Sequence, residues 1–231
     1  MLDLILIQAL TADAVPSHAL HGAIGLSRST LDGARVLGSI AGGALFELMG
    51  LDWAYITITV LYLLATITAI QINSRPVIAN AQTNNMWHGL REGFHYIRQN
   101  PLLPGLIFFS FLIEFTAFPI VNGLMAVVGD ELYNLDGTGI GLLAAVASTG
   151  ALSGALLLGI KRRVVNPSRV MIIGSLAWHA LMLILAMEPQ LWLFAIILLL
   201  WGFSGGTTFV AMIVALLRAA PSKTRGRVMG I

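Results

Sequence analysis

The stretch Leu191–Leu217, LWLFAIILLLWGFSGGTTFVAMIVALL, decides the fold. It carries no Asp, Glu, Lys, Arg or His, and it exceeds the roughly 20 residues that a helix needs to cross the ~30 Å hydrocarbon core of a bilayer. Backbone N–H and C=O groups in lipid must be satisfied within their own segment, so a run this long and this apolar reads as a membrane-spanning α-helix. Working outward from it, comparable runs lie at about Val170–Met187, Thr138–Ile160, Leu103–Val128, Trp53–Ile72 and Ala23–Leu48, the last being the least apolar. A truncated run, Leu4–Leu10, opens the chain. Six full spans and a partial one make an all-α membrane protein, because the runs are too long for the strands of a membrane β-barrel and lack their period-two alternation.

Composition points the same way. The 231 residues are 57% hydrophobic and 10% charged, with a mean hydropathy of +0.86. That is more apolar matter than a soluble core requires, and the excess faces lipid. The absence of cysteine excludes a disulfide framework, a thiolate metal site and a cysteine nucleophile. A net charge of +2 gives no case for nucleic acid. No basic segment precedes the first apolar run, so the N-terminus does not read as a cleavable signal peptide.

The connections alternate in sign. Arg75, Arg91, Arg98, Lys161, Arg162, Arg163, Arg169, Arg218, Lys223, Arg225 and Arg227 fall in one set of loops, which leaves only Arg28 and Arg35 of the 13 Lys and Arg elsewhere. The opposite set holds Glu47, Asp52, Asp130, Glu131, Asp136 and Glu188 and no basic residue. Basic residues near span ends are retained on the cytoplasmic side, which assigns every loop a face without conflict. The longest connection, Asn73–Pro101, is then cytoplasmic. It divides into an Asn-rich stretch and an amphipathic piece, Met86–Asn100, whose Trp87, Leu90, Phe94 and Ile97 recur at helical spacing and predict a short surface helix. Pro16-Ser17 followed by Gly25-Leu26 matches Pro221-Ser222 followed by Gly230-Ile231, a weak internal repeat of the kind two parallel halves would show.

Several short motifs share an order and spacing. Ala14-Val15-Pro16-Ser17-His18-Ala19-Leu20 stands where an "LVPxxxLxxA" junction follows a fourth span. Ala34-Arg35-Val36-Leu37-Gly38-Ser39-Ile40-Ala41-Gly42-Gly43 matches an "AR-x-x-G-P-x-x-G-G" antiporter motif of a fifth span, with Ser39 in place of the proline. Leu90-Arg91-Glu92-Gly93-Phe94-His95-Tyr96 with Pro101 matches "LREGxxYxxxxP", and Arg225–Gly230 matches "RGRVMG". In these residues, which cover essentially the whole chain, the sequence resembles the efflux branch of the major facilitator superfamily, the branch that includes enterobactin and macrolide exporters. Gly159-Ile160-Lys161-Arg162-Arg163 keeps the cations of that family's "G-x-x-x-D-R-x-G-R-R" loop but lacks its Asp.

The resemblance implies an incomplete major facilitator-type helical bundle that begins late in the fourth span and stops on entering the eleventh. Residues 1–72 would then end the N-terminal half, residues 73–101 would be the cytoplasmic linker, and residues 102–231 would form the C-terminal half from the seventh span. It further implies a secondary transporter of the inner membrane, monomeric when full length. Its partners would be protons, the lipid bilayer and a small amphipathic organic substrate, and no cofactor is implied. An uptake permease of the same fold and a non-transporting scaffold or sensor are the alternatives.

Charges inside spans cost about 2.5–3.5 kcal/mol each at a helix centre on insertion scales and mark candidate sites. Glu114 lies near the middle of the seventh span, with Asn122 two turns further along the same face. Burial would raise its proton affinity, which suits a group that alternates between protonated and ionised states; a permanently neutral, hydrogen-bonded Glu fits the position equally. Asp32 and Arg35 share a face of the fifth span and can pair, either as a structural ion pair or in coupling and gating, the latter on the strength of the antiporter motif. Gly38-x3-Gly42, Ser39-x3-Gly43 and Gly150-x3-Gly154 predict close helix packing, and the resemblance places the fifth and eighth spans at the junction of the moving halves. Gly202, Gly205 and Gly206 precede Thr207 and Thr208, where the tenth span could bend and turn polar groups to a cavity. Phe108, Phe111, Phe115 and Phe118 form a stripe, and Trp201 and Phe203 lie in the tenth span. These aromatics read as lipid-facing or core packing, or in part as the wall of an adaptable substrate site.

Enzyme machinery is not visible. The chain has no H-E-x-x-H, no G-x-S-x-G and no Walker-type loop. His88, Glu92 and His95 lie at i, i+4 and i+7 of the linker piece without a fourth ligand in sight, so no metal site is read there.

Overall fold

The computed structural model describes residues 20–70, 98–99, 102–119, 123–160 and 166–219. Their regular structure is entirely helical. It comprises α1 (Leu20–Ile70), α2 (Leu102–Pro119), α3 (Met125–Val127) running into a π turn at Val128–Leu132, α4 (Gly137–Ile160), α5 (Pro167–Leu185) and α6 (Leu191–Ala219). The opening run Leu4–Leu10, the junction at Pro16, the amphipathic linker piece apart from residues 98–99, and so His88, Glu92 and His95, the Lys161–Arg163 loop and the Arg225–Gly230 motif lie outside the described residues.

The 51 residues of α1 do not form one rod. At ~1.5 Å per residue an unbroken helix of that length would run about 75 Å, more than twice the hydrocarbon core. Gly50 interrupts it at φ 80° and ψ 178°, a conformation that costs a residue with a Cβ dearly and glycine little. The break falls between Glu47 and Asp52, where the charge pattern places a loop, and it separates the runs Ala23–Leu48 and Trp53–Ile72. Among the described residues α4, α5 and α6 are also long and apolar enough to cross a membrane, and α2 contributes a shorter apolar stretch. The protein is a multi-pass helical membrane protein.

Local sequence explains the helix ends. Asn166 caps α5, its side-chain oxygen accepting from the Ser168 N–H at 3.1 Å, and Pro167 takes the first helical position, where no N–H is needed. Asp136 accepts from the Gly139 N–H at 2.7 Å at the start of α4, and Glu47 of α1 accepts from the Gly137 N–H at 3.2 Å. Helical structure on the seventh run does not stop at Val128 but continues through the π turn to Leu132. Asn134 then ends it at φ 51°, with its N–H donating to the Asp130 carbonyl at 3.0 Å. The Tyr133 hydroxyl donates to the Pro189 carbonyl at 2.6 Å, which ties this turn to the α5–α6 connection. Burial, and then the nearby Glu188 carboxylate, push the Tyr133 phenol above its usual pKa, so it remains a neutral donor.

The centre of the packing is α6, flanked by α4 and α5, with α1 laid along α4 and α2 touching α6. Leu198, Trp201, Val210, Val214 and Leu217 of α6 form the core with Trp178 of α5 and Leu143 and Ala147 of α4. In lipid the hydrophobic effect does not press helices together, and close backbone approach has to supply the attraction. Gly150 and Gly154 of α4 provide it by interlocking with Gly202 and Gly206 of α6. A Cβ on Gly150 would collide with the Leu199 carbonyl, on Gly154 with that of Phe203, on Gly202 with that of Ala147, and on Gly206 with that of Ala151. Outward faces are apolar, as a lipid contact requires: Leu61, Tyr62, Ile173, Leu176 and Leu183 are exposed.

Candidate functional site

The ion cluster sits on the first part of α1. Asp32 is 0% exposed, and two arginines on its own helix reach it. Arg28, four residues earlier, donates from Nε to Oδ2 at 3.1 Å; Arg35, three residues later, donates from Nη1 to Oδ1 at 3.4 Å. The Arg35 side chain is 55% exposed, whereas that of Arg28 is 14% exposed and lays its guanidinium over the Phe209 ring of α6 at 4.2 Å. The expected Asp32–Arg35 pair is therefore present, but the closer and better buried partner is Arg28, which also joins the cluster to α6.

Glu114 lies within α2, and its side chain and that of Phe118 are outside what the structure describes, as is Asn122. Phe108, Phe111 and Phe115 of the aromatic stripe are exposed, the last two stacked with centroids 5.8 Å apart.

The seam between α1 and α4 is built from small residues at both ends. Near one end, a Cβ on Gly25 would stand 2.7 Å from the Gly159 Cα; near the other, a Cβ on Gly43 would stand 2.5 Å from the Gly137 carbonyl oxygen and one on Gly141 2.5 Å from that of Ser39. This corrects the packing expectation in two respects. The Ser39-x3-Gly43 face makes the approach, while Gly38 and Gly42 have no described atom within 4 Å of a Cβ position, since they lie on another face of the helix. Gly150 and Gly154 engage α6 and not α1.

The tenth-span expectation also changes. α6 continues as an uninterrupted helix through Gly202, Gly205 and Gly206. Thr207 and Thr208 donate back to the Ser204 carbonyl at 2.9 and 2.7 Å, and Thr208 is fully buried beside Gly174 of α5. Ser204 in turn donates to the Gly174 carbonyl at 2.9 Å. The glycines serve packing, and the hydroxyls satisfy backbone carbonyls at the α5–α6 contact.

Trp201 lies beside a narrow cleft that it shares with Thr116 of α2 and Trp178, His179 and Met182 of α5. His179 Nδ1 lies 2.8 Å from the Ser175 carbonyl, and Nε2 lies 2.9 Å from the Thr116 hydroxyl. A carbonyl can only accept, so Nδ1 carries a proton. Trp178 Nε1 is the one buried side-chain nitrogen or oxygen among the described residues with no hydrogen-bond partner, an omission that costs about 1–3 kcal/mol.

Comparison with known proteins bears on this arrangement. The family model described as Major Facilitator Superfamily matches residues 3–231. The chain belongs to that superfamily. It is 27% identical over 226 residues to the Multidrug resistance protein MdtG of Salmonella schwarzengrund, and equally to those of Salmonella newport and Salmonella typhi. Each alignment covers 95% of this chain and 54% of the relative, so the chain spans about half the length of the curated relatives it matches. No solved structure matched.

In this Major Facilitator Superfamily chain, sequence reasoning passed over two polar residues inside the helices. Arg28 had a visible signal: it stands one helical turn before Asp32. His179 had a weaker one, since a lone histidine carries no obligatory charge and its neighbours on other helices cannot be read from spacing.

Proposed function

We propose that the protein is a secondary active transporter of the inner membrane that exports small amphipathic organic molecules by alternating access in exchange for protons, without enzymatic chemistry. In this reading residues 1–72 end one helical half, residues 102–231 belong to the other, and the α1–α4 seam is where the halves move. The observation that carries it is the Arg28–Asp32–Arg35 cluster on a membrane-length helix, with Asp32 at 0% exposure. Charges kept on a membrane-length helix are expensive and mark ion or substrate pathways. Membership of the superfamily and the multidrug resistance function in the relatives' names support the same reading. Smooth contacts between small residues at Gly25, Ser39 and Gly43 suit two helices that slide or rock without unlocking large side chains. Glu114 is the carboxyl that takes up and releases the coupling proton.

The test is accumulation of a fluorescent amphipathic dye in cells expressing the protein. Export lowers dye accumulation relative to cells without it, and Glu114→Gln, which keeps the shape but cannot titrate, returns accumulation to the level of those control cells. Higher accumulation on expression would make the protein an uptake permease. An unchanged, fully pH-dependent efflux in Glu114→Gln would assign the coupling proton elsewhere.

A further inference from the structure

We infer that His179 is a second proton-binding group of the membrane domain and that Thr116 is its positioning residue, so that protonation changes how α2 is held against α5. Nδ1–H is committed to the Ser175 carbonyl at 2.8 Å, with the Ser175 hydroxyl further off at 3.4 Å. At the other end of the ring, Thr116 Oγ1 is 2.9 Å from Nε2 and also 2.8 Å from the Leu112 carbonyl on its own helix. A hydroxyl has one proton and accepts through its lone pairs, so it can face either way.

This gives two fully satisfied states. In the neutral state the Thr116 hydroxyl donates to Nε2. In the charged state a proton taken from water forms a bond to Nε2, the new Nε2–H donates to Thr116 Oγ1, and the Thr116 hydroxyl turns its proton to the Leu112 carbonyl. One N–H bond forms, none between heavy atoms breaks, and the site gains one positive charge. A purely structural histidine needs one of these patterns; the geometry supplies both.

Among the described residues that line the cleft, His179 is the ionisable one. The other lining residues, Thr116, Trp178, Met182 and Trp201, carry no charge. Of the helices packed around it, α2 holds Glu114, two residues before Thr116; α5 holds Arg169 in its first turn; α6 holds Arg218 in its last; and α4 holds no charged residue. Trp178, which also lines the cleft, carries the unpartnered Nε1. Opening between α2 and α5 that admits water would bring water to Nε2 of His179, which connects protonation to helix movement. That connection to transport rests on the antiport reading above, whereas proton binding by His179 does not.

The experiment is NMR of the protein labelled at its histidine nitrogens, in lipid, as a function of pH, with the His179 signals assigned by their loss in His179→Gln. The ring-nitrogen signals of His179 are expected to change with pH as Nε2 gains its proton. Thr116→Val removes the acceptor for Nε2–H, and with it the charge-assisted bond of the protonated ring, so the response to pH changes. Thr116→Ser leaves the response as it was. In vesicles, His179→Gln and Thr116→Val flatten the pH dependence of dye efflux. Signals that do not respond to pH, or a response indifferent to Thr116→Val, overturn the inference even if the protein transports. Titration that follows Thr116 in a protein that transports nothing upholds the proton site and removes the antiport reading alone.

Discussion

Gly154→Leu will separate α4 from α6 and lower the fraction of folded protein sharply, whereas Gly42→Leu will leave it unchanged. A side chain at Gly154 begins with a Cβ placed on the Phe203 carbonyl, and backbone cannot step aside as a flexible side chain can. Overpacking a well-filled core costs about 1–3 kcal/mol, and the loss of the interlock with Gly202 and Gly206 adds to it. Gly42 has no described atom within 4 Å of its Cβ position, so the same substitution meets open space. Denaturant unfolding in detergent micelles, read by tryptophan fluorescence, compares the two. Equal stability of Gly154→Leu and the parent would mean that the glycine interlock does not hold these helices together.

Asp32→Asn will be the most damaging change on α1. It preserves size and one acceptor but removes the charge that two arginines share. Taking one member from a buried ion pair costs about 3–5 kcal/mol, because the remaining charge stays out of water. Arg28 bears most of that cost, since its side chain is only 14% exposed. Arg35 is 55% exposed and its bond is long at 3.4 Å, so Arg35→Gln is expected to cost about 0–1 kcal/mol of stability. Unfolding of the two variants in parallel separates these expectations. If Arg35→Gln destabilised the protein as much as Asp32→Asn, the Arg28 contact would not be the dominant one.

The spans were legible because lipid imposes a rule that length and apolarity alone satisfy, and because charged residues punctuate them. Glu47 and Asp52 bracket the break in α1, although only the backbone shows that Gly50 makes it. Partner choice was not legible. A Gly-x3-Gly face announces that some helix approaches, but one-helix spacing cannot say that Gly154 meets α6, or that Gly43 and not Gly42 faces α4. Hydroxyls gave a similar ambiguity. Thr207 and Thr208 look like cavity polarity in sequence, yet in a helix they can be satisfied by the carbonyl one turn back, as Ser204 provides. The Asp32–Arg35 pair lies on one helix and could be read; His179 with Thr116 joins positions 63 residues apart and could not.

The central claim, proton-driven export, is tested most directly in sealed vesicles holding the purified protein and a fluorescent amphipathic dye, with a pH step imposed and no other energy source. The dye is expected to move against its own gradient while protons move the opposite way, a protonophore to stop both, and Glu114→Gln to retain dye exchange but lose the uphill movement. Dye that only ever runs down its gradient, with no proton movement accompanying it, would contradict the account.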